Sequence, residues 1–429
     1  MDPGTHPISP QELERSLRYS YLHGLLATIF AASVGGMFLT GFALKLGASN
    51  LQIGLLAAIP GAVAGTQLWS AYLLERHGQR KRLCLRSTSL SVGAWALAVV
   101  IPFLLPAHPG WVRLAALFAV VGSAAVAGMV SGNAWGSWIA DLVPADRYGR
   151  FFARRNVIAG PAAMAFAMLE GVFLDWAKTL EAFSLIFLVG LVAGSAAVFA
   201  LSRQADVPMA RRRDDDGRHV GMRTLLREAA GHRQLRTMTL FVVAWVFASA
   251  VAGPFYMVFL LKSLKMKFLW VGALTTIASI TAVLSNPFWG AIADRTGGRR
   301  MLALTSTLGI LATVPWLLVT RGNFWLLLPA IYIVGAFLGT GWGLGLTTFF
   351  FSSLPKESRA TYMAVYGTVT GTCGALAPVV GGLIATLVQA HHLQVLGLDT
   401  LQMLFAVSIA LFCLALPLVR LLEDPKPEP

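Results

Sequence analysis

One carboxylate interrupts the apolar stretches of this 429-residue chain, and it is Glu170. The other acids sit in tails or loops, or at the ends of apolar runs as Asp141 and Asp175 do. Glu170 lies about 15 residues into its segment, which at about 1.5 Å per residue is ~22 Å along a helix. An ionisable group at that depth is a candidate for proton coupling or for holding a cationic group of a solute. A structural Glu near the outer interface, or one paired with Lys45, is the alternative. The other polar side chains inside apolar runs are mild. Gln67, Asn133, Trp135, Trp138, Trp245, Tyr256, Asn286, Trp342 and Tyr366 are the candidate cavity residues, with His23 and Tyr332 of the same kind. An aromatic cavity with few charges suits a hydrophobic, amphiphilic or weakly polar solute. Aromatic residues in such helices also serve as packing or interface anchors.

Bond-making chemistry finds no support. The chain has no P-loop, no Ser-His-Asp set, no paired catalytic carboxylates and no Cys/His metal cluster. His391-His392 lacks a third ligand. The expectation is a protein that binds and moves a small molecule, with no metal, no cofactor and no enzymatic activity. Without a nucleotide site, energy must come from a gradient, with protons as the candidate ion, or transport is facilitative.

These residues need a scaffold in lipid. Hydrophobic side chains make up 56% of the sequence and charged ones 13%, against about 25% charged in a typical soluble domain. Two or three soluble domains would leave apolar surface uncovered. Runs of roughly 20 apolar residues, the length that crosses a bilayer, occur at 20–44, 51–74, 87–106, 114–140, 157–174, 182–201, 237–261, 268–293, 301–320, 324–351, 360–390 and 401–419. The first is expected to persist as a span, because it is too long for a signal-peptide core. Cys84, Cys373 and Cys413 are odd in number and lie in or beside these runs, which excludes a secreted disulfide framework.

With a cytoplasmic N-terminus, 27 of the 34 Lys and Arg residues fall in inside segments. That bias places both termini in the cytoplasm of a multi-pass protein in the cell membrane. It also accounts for the net charge of +14 and removes nucleic acid as a partner. The expected organisation is a tail over 1–18, a six-helix bundle over 19–201, a linker over 202–236, a second six-helix bundle over 237–420 and a tail over 421–429. The linker carries Arg211-Arg212-Arg213 before Asp214-Asp215-Asp216, then a stretch from Gly221 suited to a surface helix.

The two bundles repeat. Gly128-x3-Gly132-x2-Trp135-Gly136 in the fourth span recurs 207 residues later as Gly335-x3-Gly339-x2-Trp342-Gly343 in the tenth. The loop Glu75-Arg76-His77-Gly78-Gln79-Arg80-Lys81 recurs as Asp294-Arg295-Thr296-Gly297-Gly298-Arg299-Arg300. Small-residue stripes let membrane helices approach closely, in a fixed or a sliding contact, and a duplicated unit is a common transporter plan.

The segment Gly290-x3-Asp294-Arg295-x-Gly297-Gly-Arg299-Arg300 resembles the signature loop of the major facilitator superfamily, which lies between the second and third helices of each half. The N-terminal copy departs from it, with Ala71 for Gly and Glu75 for Asp. Gly367, Gly371, Gly374, Pro378, Gly381 and Gly382 are similar to the glycine- and proline-rich eleventh helix of many members. The resemblance implies an all-α membrane fold of 12 transmembrane helices in two pseudo-symmetric six-helix bundles, working by alternating access as a monomer. It also implies that Asp294 and Arg295 latch the cytoplasmic side against the start of the fifth helix near Arg154 and Arg155, and that Glu75 and Arg76 meet the eleventh near Arg359. Drug exporters of the superfamily usually carry an Arg inside the fourth helix, and here that helix has none. Export of an amphiphilic or drug-like solute is the preferred expectation. Nutrient uptake, a lipid-like substrate, or a sensor or assembly factor that kept the fold are the alternatives.

Overall fold

A computed structural model describes residues 8–67, 69–70, 79–105, 108–144, 147–207, 231, 233–353, 359–391 and 397–422, without the side chains of 351 and 359–365. Most of the described residues are helical, with no strand among them. In chain order the helices are α1 (Pro10–Val34), α2 (Gly36–Lys45), α3 (Asn50–Ala62), α4 (Arg80–Leu104), α5 (Gly110–Leu142), α6 (Tyr148–Ala177) and α7 (Leu180–Ser202). Then come α8 (Arg233–Val258), α9 (Phe268–Thr296), α10 (Gly298–Thr313), α11 (Phe324–Ser353), α12 (Arg359–Ala390) and α13 (Thr400–Ala415).

Eleven of the described spans are long and apolar enough to cross a membrane; a twelfth apolar helix, Asn50–Gly65, is shorter. In hydrocarbon a helix satisfies every backbone group within itself, which is why these runs take no other form. The first span is α1 and α2 joined at Gly35 and Gly36, the latter at φ 49°. Polar ends are capped where the chain leaves a span. Ser9 and Glu12 close a capping box on α1, and Asp399 and Gln402 close another on α13.

The chain forms two compact units. The first holds Met1–Ala48, Val63–Asp216 and Lys267–Gly272; the second holds Ser49–Ala62, Gly217–Met266 and Ala273–Pro429. Within the first unit α1 packs on α6 and α7, and α4 on α5 and α7. Within the second, α8 packs on α12 and α13, α10 on α11, and α3 on α12. The pairings α1–α6, α1–α7 and α4–α5 recur as α8–α12, α8–α13 and α10–α11, as a duplicated unit requires.

One polar end of the first unit is fastened by Arg80, only 2% exposed. Its Nη1 donates to Asp141 Oδ2 at 2.6 Å and to the Ser137 carbonyl at 2.7 Å, and its Nη2 to the Val207 carbonyl at 3.2 Å. Lys81 Nζ and Trp138 Nε1 donate to the carbonyls of Gln204 and Ala205, at 2.6 and 3.1 Å. A guanidinium buried this deeply is tolerated because a carboxylate and two carbonyls replace its water. At the other end of the unit, Asp175 Oδ1 and Oδ2 accept from the Phe268 and Leu269 amides, each at 2.9 Å. The first backbone donors of α9 are thereby satisfied by a carboxylate from α6.

Candidate functional site

The glycine stripes read from the sequence do not serve close packing. A Cβ built on Gly132, Gly136, Gly335, Gly339 or Gly343 would meet nothing within 4 Å, and one on Gly128 would meet only Ser91 Oγ at 3.4 Å. Instead the stripes wall two cavities, one inside each unit. Gly128, Gly132 and Trp135 line a cavity of about 230 Å³ in the first unit. Gly335, Gly339 and Trp342 line one of about 430 Å³ in the second. The repeat offset of 207 residues maps each of these three positions onto its partner.

The second unit's cavity is aromatic. Trp245 on α8 stacks on Trp342, ring centroids 6.0 Å apart and planes 16° apart, and Phe412 on α13 leans on Trp245 at 4.5 Å. Trp316 closes another side, itself packed on Tyr256 at 4.5 Å. Among the described residues, the side-chain polar groups on the wall are Ser249, Thr305, Thr313 and the indole nitrogens of Trp245, Trp316 and Trp342, and no charged residue lines it. Trp342 Nε1 is buried without a hydrogen-bond partner among the described residues.

The first unit's cavity is polar on one side. Thr88 and Ser131 hydroxyls lie 2.5 Å apart, Cys84 Sγ donates to the Ser131 carbonyl at 3.7 Å, and Ser91 donates to the Ala124 carbonyl at 2.9 Å. His23, Trp135 and Arg155 line the same cavity, Trp135 one turn along α5 from Ser131. The resemblance places Arg155 at the start of the fifth helix, as a latch residue. The helix begins at Tyr148, so Arg155 already lies in its third turn. Its guanidinium carbon sits 4.8 Å above the Trp135 ring, while Arg154 lies 5.2 Å over Tyr21. Hydropathy starts the segment only at 157 because it scores Arg as a loop residue, whereas aromatic rings can carry a guanidinium inside a helix bundle.

Glu170 is 6% exposed and lies 22 residues into α6, close to its far end. Its Oε1 accepts from Ser33 Oγ on α1 at 2.6 Å, and its Oε2 has no partner among the described residues. The alternative pairing with Lys45 does not form, since Lys45 Nζ donates to the Lys178 carbonyl at 3.2 Å.

The remaining candidates divide. Asn133 Nδ2 donates to the Gln67 carbonyl at 3.3 Å, so these two meet. Trp138 is 1% exposed in the apolar core that also holds Leu142 and Phe151, and it lines neither of the two cavities. Tyr366 packs on Phe350 at 5.5 Å, and Asn286 donates back to Ala282 in its own helix at 3.0 Å. In the signature segment Asp294 and Arg295 are exposed and form no ion pair among the described residues. Gly290 has open space around it, and Arg300 is exposed while Arg299 is half-buried. Gly297 takes φ 76°, and a Cβ on Gly298 would fall 2.4 Å from the Phe349 amide nitrogen. This pair of glycines therefore turns the chain and admits α11. Arg80, expected as a loop residue, is the buried fastener described above. Glu75, Arg76 and Gly78 lie outside the described residues, as do the Arg359 side chain, most of the 202–236 linker and His392. Among the described residues no group of three His, Cys, Asp or Glu could hold a metal.

The sequence matches the Major Facilitator Superfamily profile over residues 22–378, and again over 271–429. The chain belongs to this superfamily. It is a multi-pass membrane transporter by family, a class that moves solutes and performs no enzymatic reaction. Curated relatives include the multi-drug resistance efflux pump PmrA of Streptococcus pneumoniae, 32% identical over 132 residues. That alignment spans 28% of this chain and 29% of the relative. The multidrug resistance protein MdtG of Enterobacter lignolyticus is 29% identical over 163 residues, 37% of this chain and 35% of the relative. The chain thus spans about a third of the length of the curated relatives it matches. Among solved structures, a point mutant of the nucleoside transporter NupG superposes with a TM-score of 0.75 at 12% identity, covering 95% of this chain and 100% of that one. A bacterial homologue of the iron transporter ferroportin gives 0.69 at 14% identity, covering 96% and 99%. At such identities these two establish the superfamily fold alone.

Proposed function

We propose that this chain is a secondary transporter that exports small amphiphilic organic solutes across the cell membrane, both termini in the cytoplasm, with proton movement coupled through Glu170. The observation that carries this reading is the second unit's cavity, walled by Trp245, Trp316, Trp342 and Phe412 and free of charged side chains among the described residues. Planar rings around an uncharged space select for apolar area over a hydrogen-bond pattern, as a broad-specificity exporter needs. The names of the partial relatives, multidrug efflux proteins, point the same way.

Coupling rests on Glu170. Ser33 Oγ lies within reach of both Glu170 Oε1 and the Ile29 carbonyl, at 2.6 and 3.0 Å, yet a hydroxyl has one proton to give. When Glu170 is charged, Ser33 donates to it. When Glu170 is protonated, it can donate to Ser33, which then donates to Ile29. The pair therefore accommodates either proton state with a hydrogen bond, as a proton carrier requires.

Inverted membrane vesicles carrying the full chain provide the test. Under an imposed pH gradient, a panel of amphiphilic dyes should include at least one that accumulates above the level in empty vesicles. Glu170→Gln should remove the gradient dependence. Lack of accumulation for every dye defeats export, and an undiminished gradient response in the variant defeats the coupling role.

A further inference from the structure

The first unit's cavity contains a cation with no ion-pair partner among the described residues. Arg155 makes no hydrogen bond or ion pair with any described residue, and its Nε is buried without a partner. Two other buried polar atoms on the same wall are also unpaired: His23 Nδ1, in a side chain only 8% exposed, and Trp135 Nε1. The His23 and Trp135 rings are 6.2 Å apart, and Arg155 stands 4.8 Å above the same indole. No Asp or Glu among the described residues lines the cavity.

This arrangement is built and not incidental. Gly24 lies directly beneath the Arg155 side chain, where a Cβ would come within 2.5 Å of Nε and 3.0 Å of Cζ. The guanidinium therefore rests in a groove that only a missing side chain leaves open, and Trp135 covers its flat face. Stacking on an aromatic ring compensates part of the desolvation of a guanidinium but satisfies none of its N–H groups. A charge without an ion-pair partner among the described residues is costly in a membrane interior, and an anion entering the cavity neutralises it and accepts from the guanidinium. The Thr88 and Ser131 hydroxyls and the Cys84 thiol, which line the same cavity, offer further polar contact.

We propose that this cavity is an anion subsite, in which Arg155, seated over Gly24 and stacked on Trp135, binds the carboxylate or phosphate of a small organic solute, with His23 as a second partner. At about 230 Å³ the space falls below the ~300–1,000 Å³ of drug-sized pockets. It suits a head group or a one-ring acid. The inference rests on the transporter reading and narrows its substrates to those bearing an anionic group.

Equilibrium binding to the full chain in nanodiscs tests it, with four probes matched in their ring: benzoate, phenyl phosphate, benzamide and benzylammonium. Benzoate or phenyl phosphate binds saturably, and whichever is tighter identifies the preferred head group. Benzamide and benzylammonium bind at least tenfold more weakly. Arg155→Gln lowers affinity for the anion at least tenfold. Arg155→Lys, which keeps the charge but loses the flat stacking face, retains part of it. If Arg155→Gln does not fold, Gly24→Ala, which displaces the guanidinium, carries the same expectation. Saturable binding of neither anion, benzamide binding equal to benzoate, or full anion affinity in both variants overturns the proposal. Uptake of the bound anion into proteoliposomes separates the two readings. Binding without uptake leaves the subsite and removes its transport role; dye export without anion binding removes the subsite and leaves the transporter.

Discussion

The two cavities are built on one repeated frame and have opposite interiors. In the first unit Trp135 carries a guanidinium; in the second the equivalent Trp342 carries another indole, Trp245. The glycines that hold each space open occupy equivalent places on α5 and α11, and each tryptophan leaves its Nε1 unpaired. What differs comes from neighbouring helices: α1 and α6 supply His23 and Arg155 to one cavity, while α8 and α13 supply Trp245 and Phe412 to the other. A duplicated backbone thus sets where a cavity forms, and single residues on adjacent helices set what it accepts. One half presents charge and hydrogen-bonding groups, the other presents apolar area.

That contrast is sharpest at the two tryptophans, where the largest effects are expected. Trp342→Ala removes one face of the aromatic stack and should weaken binding of the neutral dye N-phenyl-1-naphthylamine by about 2 kcal/mol or more, the scale of a buried tryptophan anchor. Benzoate affinity should stay within about threefold, because the two cavities share no lining residue. Trp135→Ala should reverse the pattern. Fluorescence titration of both ligands on both variants checks this, and parallel losses would mean that the cavities are not independent.

Filling the spaces gives the next largest effect. A side chain placed at Gly132 or Gly339 meets no existing atom at its Cβ, so Gly132→Leu and Gly339→Leu should fold while occupying their cavities. Each should cost its own ligand about tenfold, or ~1.4 kcal/mol, with melting temperatures near that of the parent protein. A large drop in melting temperature would restore the packing role for these glycines.

The smallest expected change comes from Trp135→Phe. It keeps a ring under Arg155 but removes the indole N–H, and phenylalanine is a weaker partner for a cation than tryptophan. Benzoate affinity should fall about threefold, or ~0.6 kcal/mol, while the neutral dye is unaffected. An unchanged benzoate affinity would assign the Trp135 N–H no part in anion contact.

Much of this was legible in the sequence. The apolar runs mark the spans because lipid leaves a polar backbone no alternative to helix. The two G-x-x-x-G-x-x-W-G segments revealed the duplication, and the Asp294-Arg295 segment revealed the superfamily. Trp135 and Trp342 were recognisable as candidate lining residues because they recur at equivalent positions of the repeat, and Trp245 because it is an aromatic group with a polar atom inside an apolar run. Other features were not legible. Trp138 has the same composition signal as Trp135 yet is buried in the core, since three residues further along a helix is about 300° of rotation. The stripes suggested packing, because sequence shows that a surface is small without showing whether a neighbour fills it. Arg155 read as a loop charge, because hydropathy treats an arginine alone and not with the ring beneath it.

The sequence by itself determined the helical class, the internal duplication and the membrane environment, all consequences of local composition and of repetition along the chain. Only the tertiary structure decided that Gly24, on α1, makes room for Arg155, on α6, that Ser33 meets Glu170, and that one repeat's tryptophan carries a cation while the other's carries a ring. Each of these depends on which faces of helices far apart in sequence come together. That is fixed by side-chain packing across helices, and no periodicity within a single helix encodes it.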